Sequence, residues 1–156
     1  MRNTALLSLL LVFACKGEEK APEKPPAETT PAAPEPDYVT VDHILIGVKG
    51  PGRSSGFPHT AAEAKTLAYD LLEKLEAGAN WADVKQKYSD DKQNGIAGGP
   101  YAMANRGVAP RPGEYERTGM VPAFGDVGFA LKVGEMRVAD HGPTSPYGYH
   151  IIKRIK

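Results

Sequence analysis

The stretch Tyr147-Gly148-Tyr149-His150-Ile151-Ile152-Lys153 is a run of aromatic and β-branched residues carrying one histidine. Such a run reads as a β-strand, and it closes the chain. A second strand opens the folded region, Val39-Thr40-Val41-Asp42-His43-Ile44-Leu45-Ile46-Gly47-Val48. Alternation places His43 and Leu45 on one face and Ile44, Ile46 and Val48 on the other. Each terminal strand thus brings one histidine.

Between them lie helical signals. Thr60-Ala61-Ala62-Glu63 fits a capping box. Ala64, Leu67, Ala68, Leu71, Leu72 and Leu75 follow at helical spacing, and Gly78 is placed to end the helix. Asn80 is a candidate cap for a shorter helix with Trp81, Val84 and Tyr88 on one face. Lys49–His59, Gly95–Met103 and Asn105–Thr118 read as turn-rich or loop segments. Pro122 suits a first helical position, and Phe124, Val127 and Leu131 mark the buried face of that helix. Met136 to Ala139 reads as a further strand. Helices and strands segregate, which predicts an α+β domain with a mainly antiparallel sheet.

The N-terminal region differs in kind. Arg2 precedes the apolar run Ala5–Ala14, too short to span a bilayer and patterned like a signal peptide. It ends at Val12-Phe13-Ala14-Cys15, and Cys15 is the only cysteine of the 156 residues. A small residue before a lone cysteine resembles a bacterial lipobox, which implies cleavage before Cys15 and lipidation of that residue; the other reading is an ordinary secretory peptide with a chance cysteine. Lys16 follows, not the aspartate associated with inner-membrane retention in some Gram-negative bacteria. That favours a periplasm-facing outer-membrane anchor.

Residues 15–37 are rich in Pro, Ala, Glu and Lys, too poor in large apolar residues to form a core, and read as a disordered tether. Fully extended, it would reach roughly 70 Å, and as a flexible coil about 25 Å. Residues 38–156 form the domain.

Charges balance at 19 basic and 19 acidic. Removing Arg2 and the three Lys and six Asp/Glu of residues 16–38 leaves 15 basic against 13 acidic. That balance gives no electrostatic case for nucleic acid. Without Cys15 no thiol remains for a disulfide or a cysteine metal site. His43, His150 and Asp91 have ligand types, but their spacing matches no metal motif, so no metal is assigned.

Six segments in order resemble the parvulin-type peptidyl-prolyl cis/trans isomerases: Val41–Ile46, Tyr88-Ser89-Asp90-Asp91, Gly98-Gly99, Gly119–Phe124, Phe129–Glu135 and Tyr147–Lys153. The resemblance covers residues 41 to 155. It implies a four-stranded antiparallel sheet wrapped by about four helices, with the first and last strands adjacent. It further implies catalytic roles for His43, Asp91 and His150. Substrate-binding roles fall to Tyr101, Met120, Phe124, Phe129, Ser145 and Tyr147. Ser145 or Thr144 is placed to join the histidines through its hydroxyl.

The sequence departs from the family at three places. Gly99-Pro100-Tyr101-Ala102 replaces the commoner Gly-Asp-Leu-Gly, so Tyr101 stands in an apolar wall position. The Asn105–Thr118 stretch is longer than usual. Gly47 stands where many members have a basic residue, and the 49–59 loop holds only Lys49 and Arg53. Specificity for phosphorylated Ser/Thr-Pro is not expected.

The implied reaction is rotation about X-Pro bonds in exported polypeptides outside the cytoplasm, assisting their folding. No bond is broken, so no cofactor is called for. A different reading is a non-catalytic holdase that keeps the fold and binds peptides. The sharpest geometric expectation is that His43, Leu45, His150 and Ile152 share a sheet face. The two imidazoles should then lie within hydrogen-bonding reach of each other or of a shared Ser/Thr hydroxyl.

Overall fold

The computed structural model describes residues 34–93 and 96–156. The signal-like run, Cys15 and most of the proposed tether lie outside the described residues. Residues 34–37 are described, and Glu35 and Asp37 bond to the domain through Arg117 and the backbone of Asn105.

Strand β1 (Tyr38–Gly47) is followed by a 3-10 turn (Gly52–Gly56), helix α1 (Ala61–Glu76) and helix α2 (Trp81–Tyr88). Three short strands follow, β2 (Lys92–Gln93), β3 (Ile96–Ala97) and β4 (Tyr101–Ala104). Then come β5 (Tyr115–Glu116), a 3-10 turn (Arg117–Gly119), α3 (Pro122–Ala130), β6 (Met136–Ala139) and β7 (Gly148–Arg154). The main sheet runs β5-β4-β1-β7-β6, with β2 and β3 forming a separate hairpin.

Two expectations need correction. The main sheet has five strands, and β5 pairs with β4 in parallel, so it is mixed. Among the described residues there are three α-helices, not about four. The extra strand falls inside the stretch read as loop. Two residues are too short to show alternation, and Tyr115-Glu116 has no strand signal of its own.

The capping box of α1 forms as expected, with Thr60 Oγ1 accepting from the Glu63 N–H and Glu63 accepting from the Thr60 N–H. Asn80 Oδ1 caps α2 by accepting from the Asp83 N–H. The first and last strands are neighbours, with His43 opposite Ile152 and Leu45 opposite His150. Directly opposed residues share a sheet face, so all four side chains lie on one face.

That parity divides the molecule. Ile44, Ile46, Tyr149 and Ile151 pack against Ala64, Ala68, Leu71 and Leu75 of α1. Val39, Val41, Met103 and Ile152 pack on the other face against Phe124, Phe129 and Leu131. His43 and His150 therefore belong to the face that α3 covers.

Strand β4 pairs only with residues 38–41 of β1. Beyond Val41, the odd-numbered backbone groups of β1 face away from β7 and lack a partner strand among the described residues. Side chains take their place: His43 N–H donates to Asp42 Oδ1 (2.9 Å), Leu45 N–H to Ser89 Oγ (3.2 Å) and Gly47 N–H to Asp90 Oδ2 (2.7 Å). The Asp90 N–H completes the lacing by donating to the Leu45 carbonyl at 2.8 Å. Asp42 is fixed in turn by Trp81 Nε1 at 2.8 Å and by Lys85.

Ser89 is 2% exposed. Ser89→Ala therefore strands the buried Leu45 N–H, and the expected cost is about 1–3 kcal/mol. Urea denaturation checks this; a change near zero would show that the N–H finds another acceptor.

Candidate functional site

Lacing residues 89 and 90 to the β1 edge carries the chain from the end of α2 to the opposite sheet face. The next residue, Asp91, then meets His43. Asp91 Oδ2 lies 3.2 Å from His43 Nε2 and accepts from the Tyr101 hydroxyl at 3.3 Å. The His43 hydrogen bond, foremost, holds the Asp91 carboxyl below its usual range, with partial burial opposing and Tyr101 assisting. Asp91 is a carboxylate at neutral pH. Its charge and hydrogen bond, together with burial as the largest cause, push the Tyr101 phenol up to about 12.

Room for this carboxylate comes from a missing side chain. A Cβ at Gly98 would stand 2.4 Å from Asp91 Oδ2 and 3.0 Å from the Tyr101 oxygen. The Gly98 N–H also donates to the Asp91 carbonyl at 2.8 Å. The first glycine of the Gly98-Gly99 pair thus admits the Asp91–Tyr101 contact.

The two imidazoles pack ring against ring, with centroids 5.5 Å apart and planes at 37°. No hydrogen bond joins them, which corrects the expectation. Among the described residues, His43 Nδ1 and both His150 ring nitrogens have no hydrogen-bond partner. Ser145 does not bridge them either: its hydroxyl donates to the Gly148 carbonyl at 2.8 Å and shapes the turn before β7. Thr144 is engaged through its carbonyl, which accepts from the Ala123 N–H at 3.0 Å.

His150 is 5% exposed and sits against the Phe124 ring (centroids 5.6 Å). Burial, then the neighbouring His43, lowers its pKa to about 3. The ring is neutral, which limits the cost of its unpaired nitrogens.

Above the histidines opens a cleft of about 500 Å³. Its floor and walls include His43, His150, Leu45, Tyr101, Met120, Phe124 and Tyr147, with Asp91 at one side. Met120 precedes α3, whose first residue is Pro122, so Met120 and Phe124 do not share a helical face. Both line the cleft, Met120 from the segment before α3, where its N–H donates to the Arg117 carbonyl. Phe129 is placed elsewhere: it is buried in the core below α3, beneath the Arg117 guanidinium, and is not a wall of the cleft.

The cleft also has walls that sequence reasoning passed over. Phe57 and Arg53 reach it from the 49–59 loop. Gly47 admits Phe57, since a Cβ there would lie 2.4 Å from its ring. A phenylalanine isolated among Gly and Pro carries no periodic signal. Leu45 was legible as sharing a face with His43.

The arrangement sets the apolar side chains of Leu45, Met120 and Phe124 beside the fixed Asp91 carboxylate, with Asp90, Arg53 and Lys92 also in the lining. It suits an extended polypeptide with a compact apolar ring, and among the described residues no cluster of three metal-ligating side chains is present.

The family model described as the PPIC-type PPIase domain matches residues 28–155. The chain is 35% identical over 113 residues to the chaperone SurA of Chromohalobacter salexigens, covering 72% of this chain and 21% of that protein. It is 33% identical over 94 residues to the foldase protein PrsA of Halalkalibacterium halodurans, covering 60% and 24%. It is 34% identical over 100 residues to a parvulin-like PPIase of Rickettsia bellii, covering 63% and 31%. The chain thus spans about one fifth to one third of the length of these relatives. The solution structure of NmPin, the parvuline of Nitrosopumilus maritimus, superimposes with a TM-score of 0.44 at 25% identity, covering 78% of this chain and 98% of that one.

The depressed pKa of His150 sets an acid limit. The unfolded imidazole takes a proton below about pH 6.5, while the folded ring refuses it until about pH 3. Stability is therefore lost as pH falls through that window, by up to about 1.4 kcal/mol per pH unit for this one group. Asp91, its carboxyl held down by the His43 hydrogen bond, withdraws its own contribution only below the ordinary aspartate range. Urea denaturation between pH 7 and 4 should show a steeper loss for the wild type than for His150→Asn; parallel profiles would contradict the assignment.

Proposed function

The chain belongs to the PPIC-type PPIase (parvulin) family, and we propose that it catalyses cis/trans rotation about X-Pro bonds in exported polypeptides. The observation that carries this reading is the Asp91 carboxylate, fixed by His43 and Tyr101 in a cleft that Met120 and Phe124 wall on one side with apolar surface.

The barrier to be lowered is ~18–20 kcal/mol, because rotation destroys amide resonance. A catalyst must bind the twisted amide better than either planar form. Resonance places negative charge on the planar carbonyl oxygen, and twisting withdraws it. Apolar walls cost the less polar twisted amide less than the planar ones. A carboxylate near the carbonyl oxygen acts in the same direction by repelling the charge of the planar forms. Met120, Phe124 and the ring of Tyr101 are placed to hold the proline ring, while His43 orients the carboxylate. The histidine pair serves as a packed floor, so its replacement should damage stability along with turnover.

The proposed setting is extracytoplasmic, with a lipid on Cys15 and the residues between it and Pro34 as a tether to the membrane. The signal-like run ending at Cys15 supports this. Among the described residues no helix is long and apolar enough to cross a membrane. Similarity to a chaperone and to a foldase protein supports folding assistance as the biological use. A second reading, a holdase that binds without catalysing, draws on the same chaperone name and on Tyr101 in the cleft wall.

Exchange NMR on Pro-containing peptides separates the two. The isomerase reading expects accelerated exchange by the wild type and at least a tenfold loss in Asp91→Ala. The holdase reading expects no acceleration, together with suppression of client aggregation that survives His43→Ala, Asp91→Ala and His150→Ala combined. Absence of acceleration across varied residues before proline would overturn the proposed activity.

A further inference from the structure

The segment between β4 and β5 runs from Asn105 to Glu114 without secondary structure beyond turns. It is longer than the usual connection of about 4–6 residues. This one is fastened at several points. Asn105 N–H donates to the Asp37 carbonyl at 2.8 Å, and Arg111 N–H to Glu114 Oε2 at 2.8 Å. The Tyr38 hydroxyl donates to the Ala109 carbonyl at 3.2 Å, and the Arg111 guanidinium lies 3.5 Å from the Tyr38 ring centroid.

Its far end is held by Arg117, only 6% exposed. The Arg117 guanidinium donates to Glu35, to Asn105 Oδ1 at 2.8 Å and to Asp126 Oδ1 at 2.8 Å. It also stacks over Phe129 at 4.6 Å. Burying a guanidinium is costly unless its donors are paired; both Nη groups are, while Nε has no hydrogen-bond partner among the described residues. The fold commits a buried cation, two carboxylates and an amide to fixing one loop end.

What this anchored end presents is Tyr115. The residue is held by parallel pairing of β5 with Met103 of β4, yet remains 52% exposed and belongs to neither core cluster. Its ring lies 5.6 Å from that of Tyr101, tilted by 59°. Tyr101 is in turn 5.8 Å from Phe124 and 5.4 Å from His43, with its hydroxyl on Asp91. The two tyrosines make a ledge with one ring inside the cleft and the other in solvent.

We propose that Tyr101 and Tyr115 form a subsite for a large apolar or aromatic side chain of the substrate polypeptide, two residues from the proline held in the cleft. The proposal rests on the peptide-isomerase reading above and names a substrate class for it. The spacing supports the assignment. Side chains on one face of an extended peptide recur every second residue, at ~3.3 Å of rise per residue. The ledge departs from Phe124 in ring-to-ring steps of 5.8 and 5.6 Å. Pre-fixed aromatic rings give apolar contact area at little entropic cost. The hydroxyl of the half-exposed Tyr115 lets the ring remain in water while the subsite is empty.

Peptides containing one proline, with Phe or Ala two residues before or after it, test this by anisotropy titration against the whole chain. One of the two Phe placements should bind roughly three- to tenfold more tightly than its Ala counterpart. Tyr115→Ala should cut that advantage to below about twofold, whereas Tyr115→Phe should retain it. Far-UV circular dichroism confirms that each variant is folded. Equal binding of Phe and Ala peptides, no binding of any, or an advantage that survives Tyr115→Ala would overturn the subsite. Exchange NMR on the Ala peptides distinguishes the two levels of the argument. Turnover without discrimination removes the subsite alone, and discrimination without turnover removes the isomerase reading alone.

Discussion

Everything distinctive about the cleft depends on the unpaired edge of β1. Strand β4 covers that edge only as far as Val41. Had it continued, a strand would occupy the ground where Asp91 now stands. Because it stops, three N–H groups need acceptors, and a buried donor without one is costly. Asp42, Ser89 and Asp90 supply those acceptors from side chains. The same bonds carry the chain around the sheet edge and set Asp91 against His43. Backbone satisfaction and placement of the carboxylate are one event.

The second constraint is the parity of the sheet. His43 and His150 share a face because β1 and β7 are antiparallel neighbours in a register that opposes Leu45 to His150. That face receives α3 and not α1, so the imidazoles meet Phe124 and each other in a dry floor. Burial keeps His150 neutral, whereas Asp91, about one third exposed, remains ionised with His43 as partner. An ion beside apolar walls is the feature that discriminates between planar and twisted amides in the proposed mechanism. The histidine floor does its part by packing, with no imidazole-to-imidazole hydrogen bond.

Much of this was legible in the sequence for identifiable reasons. Alternation in residues 39–48 assigned His43 and Leu45 to one face, and a capping box announced α1. Local chemistry of that kind leaves a local signature. The parallel strand β5 left none, being two residues held by an anchored loop. The family resemblance suggests Ser145 or Thr144 as the hydroxyl joining the histidines, but the Ser145 hydroxyl turns back to Gly148. Phe129 lies in a run matching the family, yet faces the core beneath Arg117. Met120 and Phe124 are four apart, which suggests one helical face, but Pro122 starts the helix between them. Gly47 and Gly98 were visible as glycines, while the side chains they admit, Phe57 and Asp91, come from distant segments.

The proposed mechanism depends most directly on the position of the Asp91 carboxylate, and Gly98 offers a way to displace it without replacing a polar side chain. Gly98 does not adopt a positive φ, so an alanine there brings no backbone strain; its methyl would stand 2.4 Å from Asp91 Oδ2. The measurement is the X-Pro exchange rate catalysed by Gly98→Ala, with its urea unfolding curve taken alongside. The account predicts at least a tenfold loss of turnover in a protein that remains folded. Wild-type turnover in that variant would contradict it.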